Sequence, residues 1–344
     1  MPPKIRVALM YSDNTFASPI NPEVTFGWGN YDDFGDEEAA LVLEMHRDGR
    51  FDVFNFTWQD ITPELTFRQI HNLLTGERLE HVPIDETVDV IFVRGVGSSQ
   101  RAHDFRGTIC EQLQLLKQLT RTKVINPVET VISDLESKRY LVKLFSAGIP
   151  MPATYLARSL AEIEEIGALL PQGYVIKPVQ GFGGFGIERF PGGSVAQVEQ
   201  FLSTDGEVLV QEFIPGIAQG ERSVMMTFQE AAYAILKRPH EGDFRSNFSH
   251  GATIVRAEPN EAEVSLCRKV LEHLGLPSII SRIDLIGPRE APMLMEATMS
   301  CMGLYLRDVH AEAEIAQVIM DTIEKAVQAG DSGPGAIEGM RDEG

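Results

Sequence analysis

The chain has 344 residues, 43% of them apolar, and its 30 basic and 50 acidic side chains leave a net charge of -20. That apolar share is enough for sizeable buried cores, while the negative field disfavours nucleic acid as a main partner. No run approaches the ~18 apolar residues of a membrane span, and the three scattered cysteines, Cys110, Cys267 and Cys301, fit neither a disulfide framework nor a zinc site, so a cytoplasmic protein without a membrane partner is expected.

From the N-terminus, IRVALMY (5–11) and VDVIFVRG (88–95) read as short buried strands. DEEAALVLEMHRD and RGTICEQLQLLKQLT read as helices, and KVINP (123–127) as the last strand. This alternation predicts an α/β unit with a parallel sheet over residues 1–128. The next segment, ISDLESKRYLVKLFSAGIPMP, contains Ser133 and Glu136 at capping-box spacing, which predicts a helix starting there. Its apolar stripe includes Leu141, Leu144 and Phe145, with Lys138 three positions before Leu141. Lys138 is then either a snorkelling edge residue or an ammonium directed inward.

In YVIKPVQGFGGFGIERF, Gly181, Gly183 and Gly186 match G-x-G-x-x-G. A dinucleotide fingerprint must follow a first strand and open a helix. Here Gly192 and Gly193 end the segment after a few residues. The pattern predicts a β-hairpin whose turn is the glycine loop, and NAD is a poor fit. On the residues alone, the turn is an ordinary hairpin or a backbone cover for phosphates. Lys177 precedes Pro178, which favours an extended strand there.

Further along, SRIDLI (281–286) and PMLMEA (292–297) flank a Gly-Pro turn and predict a second hairpin. Asp284 falls opposite Glu296 or one residue off it, and Arg282 shares the face of Asp284. Two facing carboxylates destabilise a hairpin unless something neutralises them, and a divalent cation does so. The other reading is a pair of exposed acids. Helices are expected near 194–203 and 260–275, within an α+β body. The Gly-rich end, from residue 329, predicts a flexible tail.

Taken in order over about residues 124–306, these segments together with LVQEFIPG, GERS, ILKRP, GDFRSN and LMEAT resemble the ATP-grasp superfamily. Among its members the sequence is most similar to glutathione synthetase-like and RimK-like ligases, and it also resembles cycloserine-forming enzymes. The resemblance implies an ATP-grasp fold with an N-terminal parallel-sheet domain (1–128), a central subdomain bearing the glycine loop (129–205), a C-terminal subdomain bearing the metal site (206–328) and the tail (329–344). It implies an ATP-dependent ligase joining a carboxylate to an amine through an acyl phosphate, with ATP and Mg²⁺ (or Mn²⁺) as cofactors. Ring closure of an amino-acid derivative, and a phosphotransferase or nucleotide sensor, are the alternatives.

The same resemblance implies site residues. Lys138 and Lys177 contact phosphates under a loop containing Gly181, Gly183, Gly184 and Gly186. Gln211, Glu212, Phe213 and Ile214 form the adenine hinge, and Glu221 approaches the ribose. Asp284 and Glu296 hold Mg²⁺, with Thr298 standing where the family has Asn. Arg282, Arg245 and Lys177 act in catalysis, and Arg94, Arg222 and Arg245 bind substrate. The implied partners are a small-molecule carboxylate and an amine, in a chain that is a homodimer if it follows its family. Trp28, Tyr31 and Asp32 lie in a loop that either lines a pocket or is plain surface.

Overall fold

The computed structural model describes residues 3–10, 33–96, 99–181, 184, 186–246 and 250–329. Gly183, the loop residues Trp28, Tyr31 and Asp32, and the expected tail past residue 329 lie outside the described residues. The described residues form two units. One takes those within 1–96 and 109–128 and those from Gly303 onward; the other takes those within 97–108 and 129–302.

The first unit begins with β1 (Ile5–Met10), α1 (Asp33–Asp48), β2 (Phe51–Phe56), β3 (Thr66–Asn72), β4 (Arg78–Pro83), the single turn α2 (Ile84–Thr87) and β5 (Val90–Val93). The helix α3 (Ser99–Leu115), which belongs to this unit only from Ile109, and β6 (Lys123–Ile125) follow. Six strands make one sheet in the order β4-β3-β2-β1-β5-β6. β2, β1, β5 and β6 are parallel, and their continuous apolar runs suit strands covered on both faces. The hairpin β3–β4 adds two antiparallel strands at one edge, which the parallel-sheet expectation did not include. Neither TFRQIHN nor RLEHVP has a long apolar run; instead the turn decides. The Asn72 side chain accepts from the N–H groups of Leu74 and Thr75, and Gly76 follows at φ +73°.

From Glu129 the chain runs in the second unit, through most of α4 (Val128–Glu136) and α5 (Tyr140–Ser146). Ser133 and Glu136 therefore lie inside a helix rather than starting one. Val128, Val131 and Ile132 are all buried, and that stripe outweighs the local capping signal. Lys138 falls in the turn between the helices, where its N–H bonds to the Val179 carbonyl at 2.8 Å. It is not on the stripe of α5.

Then come β7 (Thr154–Ala157), α6 (Leu160–Gly167), β8 (Tyr174–Pro178), β9 (Glu188–Phe190), α7 (Val195–Asp205) and β10 (Val208–Glu212). They make an antiparallel sheet in the order β7-β10-β8-β9. Its outer face packs Ile176, Val208 and Val210 on Ile163 of α6 and Val198 of α7. By strand alternation Val175, Lys177, Leu209 and Gln211 take the inner face. β8 and β9 pair antiparallel across the glycine turn, the expected hairpin.

The last part has β11 (Glu221–Thr227), β12 (Glu230–Arg238), β13 (Thr253–Ala257), α8 (Glu261–Leu274), β14 (Ile280–Ile286) and β15 (Met293–Thr298). The sheet order is β13-β12-β11-β14-β15. One face carries Val224, Met226, Ile283, Leu285 and Ala297, packed with Val270 and Leu271 of α8 and Leu141 and Leu144 of α5. Asn260 starts α8 with a complete capping box to Glu263. From Gly303 the chain belongs to the first unit, where α9 (Glu312–Gln328) packs on α1 and β6. The expected last subdomain, 206–328, therefore ends at Met302 instead. Ile315, Ile319 and Ile323 make the buried stripe that draws this helix to the first unit.

Candidate active site

The face of the five-stranded sheet opposite α8 is polar and buried. Asp284 of β14 pairs in register with Glu296 of β15, one of the two registers that strand alternation allowed. A one-residue bulge follows, because Leu285 pairs with Leu294. It allows the consecutive residues Met295 and Glu296 to depart from strict alternation, so that Glu296 stands beside Asp284 while Leu294 and Ala297 stay in the core.

Cations surround this pair. Arg282 donates to both oxygens of Asp284 at 3.1 Å. It also donates to the Thr298 hydroxyl at 3.3 Å. Lys237, on β12, lies 2.5 Å from Glu221 and 3.4 Å from Asp284. The Ser223 hydroxyl donates to Asp284 as well. Burial opposes ionisation of Asp284, but Arg282 and Lys237 outweigh it and lower its pKa to about 2. Glu296 is 2.7 Å from Lys138. Burial again works against the charge, and Lys138 with Lys177 brings its pKa below the usual range.

Lys177 reaches the same centre from β8. Its ammonium donates to Gln211 at 2.7 Å, and Gln211 donates in turn to Thr154 at 2.9 Å. Burial lowers the Lys177 pKa to about 8, and the like charge of Lys138 adds to that. Lys138, Lys177, Lys237 and Arg282 stand among Glu221, Asp284 and Glu296, with buried Asp134 close enough to act on Glu296. A chain of net charge -20 thus gathers four cations at one place, where nearby acids balance them. The like charges of Lys138 and Lys177 disfavour each other, an arrangement that suits an anion lying between them.

An apolar patch adjoins the charges. Val175, Phe213, Ile217 and Ile286 are buried together, with Ile214, Phe244, Met293 and Met295 packed against them. Of the expected hinge, Gln211 and Glu212 turn their side chains to internal work; Glu212 accepts from the Ala153 N–H. The N–H groups of Glu212 and Phe213 are spent on Ala153 and Gly173. Ile214 offers its apolar side chain. In the loop, Gly181, Gly184 and Gly186 have φ of +122°, +76° and +69°. At Gly186 an added Cβ would stand 2.4 Å from the Phe201 ring.

Three expected substrate arginines are placed differently. Arg222 alternates with Glu221 and Ser223, so it faces α8, where it pairs with Glu263 and donates to the Gly287 carbonyl at 2.9 Å. Its guanidinium is internal. Arg94 is fully buried in the first unit, bonded at 2.9 Å to both Glu37 and Glu38. Glu37 also accepts from the N–H groups of Leu304 and Tyr305, so this cluster braces the unit from within. Arg245 is part-exposed and gripped by Asp243 of its own turn, at 3.1 and 2.8 Å.

Lys237, Ser223 and Tyr140 were not singled out from sequence. A lysine in register with Tyr233 and Ile235 on β12, both buried, is a signal that alternation alone makes available. Arg189 is a further such residue, with its guanidinium 3.7 Å over the Phe213 ring.

For a divalent cation, the described residues hold no group of three or more His, Cys, Asp or Glu side chains suited to bind one. Two carboxylates in register do fit Mg²⁺, which takes one or two protein carboxylates and completes its shell with substrate phosphates and water. The Thr298 hydroxyl is directed at Arg282.

Residues 141–291 match the family model of the prokaryotic glutathione synthetase ATP-grasp domain. A probable alpha-L-glutamate ligase of Xanthomonas axonopodis pv. citri is 26% identical over 206 residues, 59% of this chain and 69% of the relative. One from Klebsiella pneumoniae is 27% identical over 54% of this chain and 62% of its own length. Among solved structures, a D-cycloserine synthetase superposes with TM-score 0.64 at 17% identity, over 92% of this chain and 99% of that one. The D-alanyl-alanine synthetase A of Vibrio cholerae gives TM-score 0.62 at 12% identity, over 96% and 99%.

Proposed function

We propose, from the match of residues 141–291 to the ATP-grasp domain model and the likeness to probable alpha-L-glutamate ligases, that this protein is an ATP-dependent ligase joining the carboxylate of an amino-acid-like small molecule to an amine. The observation that carries this reading is the buried centre in which Lys138, Lys177, Lys237 and Arg282 converge on Asp284 and Glu296. Such a centre suits phosphoryl transfer, where the protein's task is positioning and neutralising charge.

In the first step a carboxylate oxygen attacks the γ-phosphorus, the bond to the bridging oxygen breaks, and ADP leaves. In the second, the amine attacks the acyl carbon, phosphate departs with its bonding electrons, and the nitrogen loses a proton. Lys138, Lys177 and Lys237 bind the phosphates. Arg282 balances the transferring phosphoryl group and then the tetrahedral oxyanion. Asp284 and Glu296 are the residues to hold Mg²⁺, which when bound supplies phosphate charge neutralisation; Thr298 orients Arg282. The loop of Gly181 to Gly186 covers the phosphates and excludes water from the acyl phosphate. Val175, Phe213, Ile214 and Ile286 offer an apolar seat for the adenine, and Glu221 fixes Lys237 and stands ready for the ribose. Arg245, part-exposed and paired with Asp243, is suited to a substrate carboxylate on exchanging that partner. Because the curated relatives are named for glutamate, acidic amino acids head the candidate substrates.

Ring closure is a second reading, supported by the likeness to a D-cycloserine synthetase along 92% of the chain. A hydroxylamine trap separates the two. The protein is incubated with Mg-ATP and pools of amino acids and small carboxylates, and ADP and hydroxamate are followed together. Matching ADP and hydroxamate support the ligase and identify the acid. Substrate-dependent ADP without hydroxamate favours ring closure or phosphorylation of another group. Nucleotide binding with no turnover in any pool would overturn the ligase in favour of a sensor.

A further inference from the structure

β15 carries both Glu296 and Thr298, yet it is the edge strand of its sheet. On one side it pairs with β14; on the other, the N–H and carbonyl of Ala297 have no neighbouring strand to meet. A single side chain satisfies both. The Tyr140 hydroxyl donates to the Ala297 carbonyl at 2.8 Å and accepts from the Ala297 N–H at 2.9 Å. One phenol thus does the work of a missing strand, at the residue between the two site side chains.

The surroundings make this contact directional. Ala297 is buried with its methyl in the core beside α5 and α8. Its neighbours on either side consequently project to the polar face. The strand has just passed a bulge, where pairing with β14 holds the register less firmly. Tyr140 is the first residue of α5, two positions after Lys138, whose ammonium lies 2.7 Å from Glu296. A second hold from the same elbow lies further on, where Asp134 of α4 accepts from the Ser300 N–H and hydroxyl.

We propose that Tyr140 is a positioning residue: by pinning the Ala297 main chain it fixes Glu296 and Thr298 relative to Asp284 and Arg282. This rests on the reading of Asp284 and Glu296 as the metal carboxylates. Losing the hydroxyl loosens a metal ligand without removing it, and partners of that kind are worth about 10-fold in metal affinity.

The test compares wild type with Tyr140→Phe in the full chain. Hydrogen exchange of the Ala297 amide is measured first, then Mn²⁺ binding in the presence of ADP by electron paramagnetic resonance, then thermal stability. A control, Leu144→Val, weakens the same α5 packing without touching β15 hydrogen bonds. Tyr140→Phe is expected to exchange the Ala297 amide about 5-fold faster and to bind Mn²⁺ about 10-fold more weakly. Leu144→Val is expected to lose stability at unchanged Mn²⁺ affinity. Equal Mn²⁺ affinity in wild type and Tyr140→Phe would overturn the proposal alone, as would a loss that Leu144→Val reproduces. Absence of Mn²⁺ binding to wild type would overturn the functional reading, and the proposal with it.

Discussion

Replacing Lys177 by methionine should stabilise the unliganded protein and abolish Mg-ATP binding. Lys177 is 7% exposed. Burial, with Lys138 adding to it, lowers its pKa from 10.5 to about 8. The unfolded chain therefore binds this proton more tightly than the folded one. Stability rises with pH between about 8 and 10.5, and below about 8 the folded protein carries the full penalty. That difference in pKa corresponds to about 3 kcal/mol. Methionine removes the charge but leaves the buried Gln211 oxygen without its donor, which takes back about 1–2 kcal/mol. The net expectation is a gain of about 1–2 kcal/mol at neutral pH, falling to nothing by about pH 10. Urea unfolding by far-ultraviolet circular dichroism at both pH values measures it, with calorimetry for Mg-ATP. A variant no more stable than wild type at neutral pH would refute the reasoning, since the lysine would then be at ease without a ligand.

Asp284→Asn should act in the opposite sense. A carboxyl held at about 2 in the folded state contributes stability that is present above its unfolded value and lost as pH falls through about 2, so the variant loses about 2 kcal/mol at neutral pH. The gap from wild type in urea titrations should close as the pH is lowered below 3.8, the ordinary aspartate value. Arg222→Met should cost about 3 kcal/mol by stripping a partner from buried Glu263, yet leave the Kd for Mg-ATP unchanged; a weakened Kd without loss of folding would return Arg222 to the ligand site. Gly186→Ala meets a positive φ and the Phe201 ring. It should cost about 1–3 kcal/mol and raise the KM for Mg-ATP, and unaltered kinetics would remove the loop from the nucleotide's cover.

What is local in this fold was legible from the residues alone. The hairpin around the glycine loop and the pairing of Asp284 with Glu296 follow from residue-by-residue alternation and a short connection, which leave few registers to choose from. Helix α8 was legible for the same reason, since its Asn260 cap and apolar stripe lie within one segment. The start of α5 was not, because a capping signal at Ser133 competes with a buried stripe that only the packed unit reveals. Tertiary structure alone decided which face of β11 is polar. Arg222 and Glu221 are adjacent, and only the position of α8 assigns the arginine to packing and the glutamate to the site. It also decided the contacts of Lys237 and Ser223 with Asp284, because β11 lies between β12 and β14 in a sheet order that departs from chain order. Tyr140 and Ala297 are 157 residues apart. No periodicity in either segment encodes that meeting; it arises because an edge strand has unpaired backbone groups and the fold brings one hydroxyl to them.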